Sequence, residues 1–449
     1  MRAAPTRAGL FPHCLRLRVR RPTQTGAGDR LRPGVWRRPA TCFVTVTDAT
    51  WMGVSIVSTT YELSDTDRAW AEATKAKLLA RFSAERDRVG TMIPYIPDAA
   101  DHRYHEDKGE TDVVWWTNGF WPGILWQCFH ALGGEQATGE AAVEAGKFRD
   151  VARGVEDRLD KAFDVYTGLH HDVGFMYLLS AVADARLTGN ERSVARGLHA
   201  AHLLAGRYNP RGKFIRSWNR DRSGWVIVDS MMNIPLLYWA SEQIGDPRFT
   251  YVATDHADTV MAKTVRGDGS CNHIIVLDPA TGELLETPAG QGYAPGSSWS
   301  RGQSWAVYGF ALSYRHTGDE RYLDCAKRVA NYFTSQVAQT GDVALLDFRQ
   351  PAEPVYWDAL AGCIAACGIL EIARACEGVE REEWIRWAMR ILRATDERFC
   401  DWDEDHDGVV TMCSGAYHSE KDRHVPMVYA DYYFLEAVLR LLGEDTLLW

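Results

Sequence analysis

Six short turns that each carry a glycine recur along the chain, and they constrain its fold more than any other feature. Each turn follows a strongly apolar segment, and all but the last precede a charged amphipathic one. This is how glycine behaves at the C-terminal cap of a helix inside a helical hairpin, so six hairpins are predicted. The turns are Ala-Leu-Gly-Gly at 131–134, Leu-Thr-Gly-Asn at 187–190, Ile-Gly-Asp at 244–246, Thr-Gly-Asp at 317–319, Glu-Gly-Val at 377–379 and Leu-Gly-Glu at 442–444.

The segments on the two sides of these turns belong to two classes of helix. Those before the turns are apolar on nearly every side, which is typical of buried helices, whereas those after keep one apolar stripe and one charged face. Alternating inner and outer helices predict an all-α fold, an (α/α)6 toroid, as a single domain over residues 60–449. The predicted inner helices are 119–132, 173–188, 230–243, 299–316, 358–376 and 429–442, and the outer ones are 66–86, 140–162, 191–208, 247–265, 320–338 and 381–399.

Strand signals are sparse. Asn272–Leu277 and Val343–Phe348 are the best candidates for short hairpins on a rim of the toroid.

The start of the chain differs from the rest in charge. The first forty residues hold ten Arg, no Lys and one Asp, with no helical periodicity. We expect residues 1–51 to be a disordered Arg-rich extension, or an overextended start ahead of Met52, and a transit peptide is the alternative. Because the remainder is acidic, nucleic acid and membrane surfaces are not expected as partners.

The ten cysteines are spread widely, without a pair-of-pairs metal spacing. Most sit in apolar helical patterns, as Cys363, Cys367 and Cys376 do. Free buried thiols are typical of a reducing compartment, so the sequence predicts a cytoplasmic protein. We expect no cofactor and no metal. The sequence leaves the oligomeric state open.

Strict alternation makes all six inner helices run the same way, so the residues just before them should gather at one end. Aromatic rings, carboxylates, an Arg and His together suit a sugar, because pyranose faces stack on rings and hydroxyls need donors and acceptors. Helix N-termini at that rim favour an anionic group, which suggests an acidic sugar. The rim set is Trp115, Trp116, Asn118, His170, His171, Asp172, Trp225, Asp229, Trp299, Arg301, Trp305, Tyr356, Trp357, Asp358 and Asp431.

Some of these residues have a structural alternative. Asp172 and Asp229 each occupy a plausible N-cap position, where a single Asp more often caps a helix than acts on a substrate. His170, His171 and Asp172 can also be interpreted as metal ligands, although adjacent residues rarely converge on one ion. The acidic run at 403–408 matches the opening of a calcium loop, but Ser414 stands where a bidentate Glu is expected, so a solvated acidic turn is favoured.

Four motifs at these positions resemble glycoside hydrolase family 88, the unsaturated glucuronyl hydrolases, and the likeness covers roughly residues 65–445. Together they are specific, whereas each alone would be weak. They are Trp-Thr-Asn-Gly-Phe-Trp-Pro-Gly at 116–123, His-His-Asp-Val-Gly-Phe at 170–175, Val-Ile-Val-Asp at 226–229 with Asn-Ile-Pro-Leu-Leu at 233–237, and Ser-Trp-Ser-Arg-Gly-Gln-Ser-Trp at 298–305.

The resemblance implies an (α/α)6 barrel and the release of 4,5-unsaturated glucuronic acid from the non-reducing end of lyase-derived glycosaminoglycan-type oligosaccharides. The reaction hydrates the C4=C5 double bond. By the same resemblance Asp172 and Asp229 match the two acidic residues. The residues that it implies for the sugar pocket are Trp116, His171, Trp218, His273, Gln291, Trp299, Arg301 and Trp305.

The expected roles follow from the neighbours of each residue. Asp229 lies among Trp225, Val226 and other apolar residues that should raise its pKa, as a general acid and base requires. Asp172 is expected to stay ionised beside the two histidines, and to stabilise the developing cation or orient the sugar. Arg301 is the natural partner for an anionic group of the substrate.

Two departures from the family bear on specificity. A Ser-rich stretch that some members carry after Tyr-x-Asp is here 359–362, Ala-Leu-Ala-Gly, which puts hydroxyl contacts to a sulfated or acetylated neighbouring sugar in doubt. Asn118 stands where some relatives have Asp.

Three other functions remain open from the sequence. An unsaturated rhamnogalacturonyl hydrolase would share both fold and chemistry. A sugar 2-epimerase would use His171 and His273 as acid and base, and a non-catalytic sugar-binding toroid would need no acid at all. The parent polysaccharide and its sulfation are also left open.

Overall fold

The computed structural model describes residues 61–219, 221–446 and 448–449, and the interpretations of residues 1–51 lie outside them. Twelve long helices dominate this part of the chain. In chain order they are α1 (Asp65–Val89), α2 (Phe120–Ala131), α3 (Gly139–Leu159), α4 (Val173–Tyr177, Leu178–Val182 and Ala183–Thr188 in succession), α5 (Glu191–Ala205), α6 (Pro235–Ile244), α7 (Arg248–Thr264), α8 (Ser300–Thr317), α9 (Glu320–Val337), α10 (Ala359–Arg374), α11 (Gly378–Phe399) and α12 (Val428–Leu441).

Burial separates the helices into the two predicted classes. The even-numbered helices form the inner ring, and in α12 every residue is buried. The odd-numbered helices bury one stripe and expose the other face, as α9 does. The (α/α)6 prediction is therefore confirmed. The middle of α4, Leu178–Val182, is a π-helical turn within the inner ring.

The predicted turns owe their shape to glycine. Gly189, Gly245 and Gly318 follow α4, α6 and α8 with φ values of 76°, 64° and 68°, a left-handed conformation that costs glycine little. After two of these glycines, the next residue caps the N-terminus of the outer helix. The Asn190 and Asp319 side chains accept hydrogen bonds from the first turns of α5 and α9.

Short strands cover the rim at which the inner helices begin. They are β1 (Tyr208–Asn209), β2 (Phe214–Ile215), β3 (Trp225–Ile227), β4 (Ile274–Leu277) and β5 (Leu284–Glu286), with β1 antiparallel to β2 and an antiparallel order β3-β4-β5. The predicted strand at 272–277 is confirmed as β4. The predicted strand at 343–348 is wrong, because that stretch contributes isolated bridges rather than a ladder.

A buried polar cluster joins the inner helices towards their C-terminal ends. The Arg440 guanidinium pairs with Glu371 at 2.5 Å and with Glu436 at 3.0 Å. The Trp449 indole donates to Glu436 at 2.9 Å and stacks on Tyr433. Paired charges with further hydrogen bonds satisfy one another in the interior, so this cluster closes the toroid opposite the rim. No helix in the described ranges combines the length and apolarity needed to cross a membrane.

Candidate active site

Two carboxyl groups lie at the mouth of the toroid, each placed by a backbone contact of its segment. Asp172 directly precedes α4, and the N–H of His171 donates to the carbonyl of Ser217 at 3.1 Å. Asp229 lies in a short 3-10 turn, Val228–Met232, that leads into α6. The two side chains are 18% and 13% exposed, so they are accessible but poorly hydrated.

Neither carboxyl group caps a helix. The Asp172 side chain makes no capping hydrogen bond to α4, and Asp229 lies inside its 3-10 turn rather than at the cap position. The N-cap alternative for both residues is therefore wrong. Both side chains are left available for a ligand.

Poor hydration changes the acidity of both groups. Burial and, to a smaller extent, the neighbouring Asp172 carboxylate together raise the pKa of Asp229 to about 8. Burial raises the pKa of Asp172 to about 7, against the opposing charge of Arg207. The two groups titrate as a pair, in which Asp229 holds the proton more firmly than Asp172.

The sequence leads us to expect that Asp172 stays ionised beside the two histidines, but His171 does not supply the charge for this. The His171 Nε2 atom lies 3.4 Å from Asp172 Oδ1, but burial holds the pKa of His171 well below its usual range. A neutral imidazole supplies no charge to stabilise a carboxylate. Asp172 is therefore only partly ionised at neutral pH.

His273 meets Asp229 because β3 pairs with β4. Ile227 stands opposite Ile274, and Val228 N–H donates to the His273 carbonyl at 3.1 Å. The His273 Nε2 atom then lies 3.7 Å from Asp229 Oδ1. Burial lowers the pKa of His273 to about 3, so the ring is neutral.

The loop before α8 fixes the orientation of the His273 ring. The backbone N–H of Gln291 donates to His273 Nδ1 at 3.1 Å, which assigns the remaining ring proton to Nε2, the atom facing Asp229. Gly290 makes this approach possible. Its φ is +59°, and a Cβ there would lie 2.4 Å from His273 Nδ1.

The four tryptophans predicted for the sugar pocket differ in burial and in the residues that they contact. Trp116 packs edge-on against Tyr429 at 4.8 Å, and Trp299 packs on the His273 ring at 4.3 Å. Trp218 is half-buried and meets Trp225 edge-on. Trp305 has no exposed surface, so its predicted place in the pocket lining is wrong: it belongs to the core beneath the rim.

Arg301 does not have the free guanidinium that the sequence suggested. Its Nε and Nη2 atoms donate to the two Asp358 carboxylate oxygens at 3.0 and 2.8 Å. Nη2 also donates to the Ser414 carbonyl at 2.7 Å, and Nη1 donates to the Tyr429 hydroxyl. Four of its five N–H donors serve the protein, which contradicts the bidentate grip on the substrate. Its side chain is 2% exposed.

The site residues form one chain of contacts around the rim. Tyr429 joins Trp116 to Arg301, whose guanidinium lies over the Trp299 ring at 5.3 Å. Trp299 leads through His273 to Asp229, and the charge of Asp172 acts on Asp229 in turn. The topology therefore brings together the residues that the sequence placed at one end.

Sequence reasoning missed three contributors. Tyr429 has no motif, Ser217 acts through its backbone and hydroxyl, and Arg207 follows an outer helix, where no rim residue was sought. Asp358 and Asp431 were predicted at the rim, but both serve the protein. Asp358 holds Arg301, and Asp431 accepts from the N–H groups of 409 and 410.

The metal alternatives find no support in the part of the chain that the structure describes, where no cluster of His, Cys, Asp or Glu could hold an ion. In the acidic run at 403–408, Asp407 is buried and binds Arg88, Arg103 and the Tyr104 N–H. The run is therefore not only a solvated acidic turn, because Asp407 ties it to the rest of the protein through ion pairs.

The chain resembles known enzymes along most of its length. No protein-family model matches it. It is 36% identical over 374 residues to the unsaturated glucuronyl hydrolase of Bacillus sp. (strain GL1), covering 81% of this chain and 94% of that protein. It is 32% identical over 362 residues to the unsaturated chondroitin disaccharide hydrolase of Streptococcus pneumoniae (strain ATCC BAA-255 / R6), covering 75% and 84%. The crystal structure of the Bacillus sp. GL1 enzyme superposes with a TM-score of 0.76 at 33% identity, covering 83% and 96%.

Proposed function

The chain belongs to the unsaturated glucuronyl hydrolases, glycoside hydrolase family 88, and from this premise we propose that Asp229 and Asp172 together hydrate the substrate's double bond. The enzyme is a glycoside hydrolase that releases 4,5-unsaturated glucuronic acid from glycosaminoglycan-type disaccharides. The observation that supports the assignment of the two acids is their pairing: both carboxyl groups are poorly hydrated, and their pKa values, about 7 and about 8, lie at and just above neutral pH.

The substrate carries an enol ether, C4=C5–O5, conjugated to the C5 carboxylate. Protonated Asp229 gives its proton to C4, and the electron pair of the double bond forms the new C–H bond. Positive charge is left shared between C5 and the ring oxygen. Carboxylate Asp172 stabilises this charge, which develops only in the transition state.

Water completes the reaction and returns the proton. The water oxygen bonds to C5 while ionised Asp229 takes one of its protons, so the acid is regenerated. The product is a hemiketal at C5. It opens to a ketone, and the neighbouring sugar leaves from C1. The reaction consumes one water and needs neither an oxidant nor a reductant.

His273 and the tryptophans position the reacting groups in this proposal. Neutral His273 presents its Nε2–H to Asp229 without supplying charge. Trp218 and Trp299 offer ring faces to the sugar, and Trp116 borders the same pocket. His171 and Gln291 line the pocket beside the two acids, and the backbone N–H of Gln291 holds the His273 ring. Arg301 contributes indirectly, because it fixes Tyr429 and the 414 segment.

An epimerase is disfavoured by the same geometry. That reaction would need His171 and His273 to exchange protons near neutral pH. Burial lowers the pKa of both residues, that of His273 to about 3, so neither can serve as the acid. The two carboxyl groups have pKa values in the useful range instead.

We also propose the compartment and the domain bounds that the sequence predicts. Eight described cysteines are unpaired and seven of them are buried, which supports a reducing compartment such as the cytoplasm. The site residues named above all lie between positions 116 and 429, which supports a catalytic domain over residues 60–449. A variant that lacks residues 1–51 should therefore keep its activity.

A panel of unsaturated disaccharides tests the function. Disaccharides from hyaluronan, chondroitin, heparin and pectin are incubated with the enzyme, and loss of the alkene's ultraviolet absorbance is followed with product analysis. We expect turnover of the glucuronyl disaccharides and two sugar products, with Asp229→Asn as the inactive control. Turnover of the pectin-derived substrate alone would favour the rhamnogalacturonyl alternative, and no turnover of any substrate would contradict the proposal.

A further inference from the structure

The Arg207 guanidinium is a half-buried cation held entirely by neutral oxygens. It lies between α5 and β1, and four hydrogen bonds fix it. Nε donates to the Arg216 carbonyl at 3.0 Å, and Nη2 donates to the Ser217 carbonyl at 2.9 Å. Nη1 donates to the Leu169 carbonyl at 3.2 Å and to Asn219 Oδ1 at 2.7 Å. Such a fork is geometrically well defined.

This arrangement leaves the charge of Arg207 without a direct counterion. Across 61–219, 221–446 and 448–449, no carboxylate lies within ion-pair distance of it. Burial and the nearby charge of Arg216 lower the pKa of Arg207 to about 10, whereas Asp172 is the acid that opposes this trend. A half-buried charge that no carboxylate neutralises keeps its effect on the titratable groups nearby.

The contacts of Arg207 lead to both sides of the active site. Leu169 lies three residues before Asp172, so the hydrogen bond to its carbonyl anchors the segment that carries the acid. The Ser217 carbonyl accepts from Arg207 and also from the N–H of His171. Ser217 directly precedes Trp218. One guanidinium thus ties the Asp172 segment to the Trp218 segment.

We propose that Arg207 is a positioning residue that holds a permanent positive charge beside Asp172 and makes it the ionised member of the acid pair. The proposal rests on the proposed function, because it assigns the charged form to Asp172 and the proton to Asp229. The hydrogen bonds of Arg207 go to Leu169, Arg216, Ser217 and Asn219, and not to either acid. Arg207 acts through Asp172.

His171, Asp229 and Arg301 do not take over this task. His171 is neutral because burial lowers its pKa, and the charge of Arg207 lowers it further. Asp229 is negative when ionised and would favour the protonated form of Asp172. The Arg301 charge acts on Asp229 and is paired with Asp358. The charge of Arg207 acts on Asp172, and the charges of Asp172 and Arg301 act on Asp229. The rings of His171 and His273 lie 3.4 and 3.7 Å from Asp172 and Asp229.

The test compares pH profiles of kcat/KM for the wild type and two variants. In Arg207→Met the charge is lost, so Asp172 should ionise only at higher pH. The acidic limb should move upward by about one pH unit, the low end of the shift that a close opposite charge causes. A folded Arg207→Met protein with an unmoved acidic limb would overturn the proposal, because a structural role alone lowers activity without moving the limb.

A second variant keeps Arg207 in place. Asn219→Asp puts a carboxylate where the Asn219 oxygen now accepts from Nη1, so Arg207 gains a counterion and its field at Asp172 weakens. The acidic limb should again move upward. This variant decides the question if Arg207→Met does not fold, and an unchanged limb in Asn219→Asp would then overturn the proposal.

Arg207→Lys is the matched control, because it keeps the charge and loses the fork. Its acidic limb should stay near that of the wild type while KM rises as Trp218 loses its support. An upward shift equal to that of Arg207→Met would show that geometry, not charge, sets the limb, and would overturn the proposal. Wild-type enzyme that consumes no unsaturated disaccharide would refute the proposed function itself, whereas active wild type with unmoved limbs refutes this inference alone.

Discussion

The Nε2 atom of His273 lies 3.7 Å from Oδ1 of Asp229, and within the described ranges neither atom has a hydrogen-bond partner. The imidazole is neutral, so it does not stabilise a carboxylate by charge. The arrangement leaves Asp229 protonated near neutral pH and directed into the mouth of the toroid. A proton donor that must also accept a proton from water requires this balance.

Asp229→Asn should lower turnover by about 10²-fold or more while KM changes little, because the amide keeps the shape but cannot transfer a proton. Steady-state kinetics on an unsaturated glucuronyl disaccharide measure both parameters. Near wild-type turnover would remove Asp229 from the role of acid.

Asp172→Asn should reduce turnover comparably without destabilising the fold, since the side chain caps no helix. The folded-state pKa of about 7 lies above the ordinary value of 3.8, so the folded wild type holds more protons than the unfolded chain between these values. Wild-type stability therefore falls as pH rises through this window, and the neutral amide avoids that loss. We expect the Tm of the variant to equal or exceed that of wild type at pH 8, and a lower Tm would contradict this.

The pH profile of kcat/KM should be bell-shaped, with its maximum between about pH 7 and 8. Activity should rise as Asp172 ionises, with a pKa of about 7, and fall as Asp229 loses its proton, with a pKa of about 8. In the Asp229→Asn variant the basic limb should disappear from any residual activity. A wild-type rate that keeps rising above pH 9 would refute this assignment.

Arg301→Met should destabilise the protein by about 3 kcal/mol, because it leaves the buried Asp358 carboxylate without its partner. Urea unfolding measures the free energy. Arg321→Met is the matched control, since Arg321 pairs with Asp319 on the exposed surface and its loss should change little. A variant of unchanged stability and raised KM would instead restore the role of Arg301 as a ligand of the substrate.

Gly290→Ala should reduce turnover by about 10²-fold, because the new methyl group would displace the His273 ring. Gly296→Ala is the control. Gly296 also has a positive φ, +78°, but a Cβ there meets nothing within 4 Å. Both variants carry the same backbone strain, so equal kinetic losses would show that His273 is not involved.

Much of the architecture could be predicted because it depends on local signals. Glycine at the turns and the difference between all-round and one-sided apolar helices set both the helix count and the rim. Asp172 and Asp229 could be placed at that rim from connectivity alone. The change from the inner helix α8 to the outer helix α9 is also visible in the charged residues that follow Gly318.

The partners of the site residues could not be predicted, because they depend on three-dimensional register. Arg301 and Asp358 were both placed at the rim, but their pairing requires α8 and α10 to meet at one particular height. Trp305 lies on a helix that is apolar all round, where periodicity does not distinguish core from pocket. The encounter of His273 with Asp229 requires the pairing of β3 with β4, for which both strands are too short to give a clear signal.

The contact between Trp116 and Tyr429 joins the turn just before the first inner helix to the last inner helix, and this closure determines when activity can first arise. Contacts between residues this far apart in the sequence form only after the entropy of loop closure has been overcome. On the ribosome, a nascent chain that ends before α12 already carries both acids and His273. It lacks Tyr429, and with it the contact to Trp116 that closes the ring of helices. Until α12 is synthesised, the ring of helices therefore stays open and its apolar helix faces stay exposed. Catalytic competence comes with this last helix.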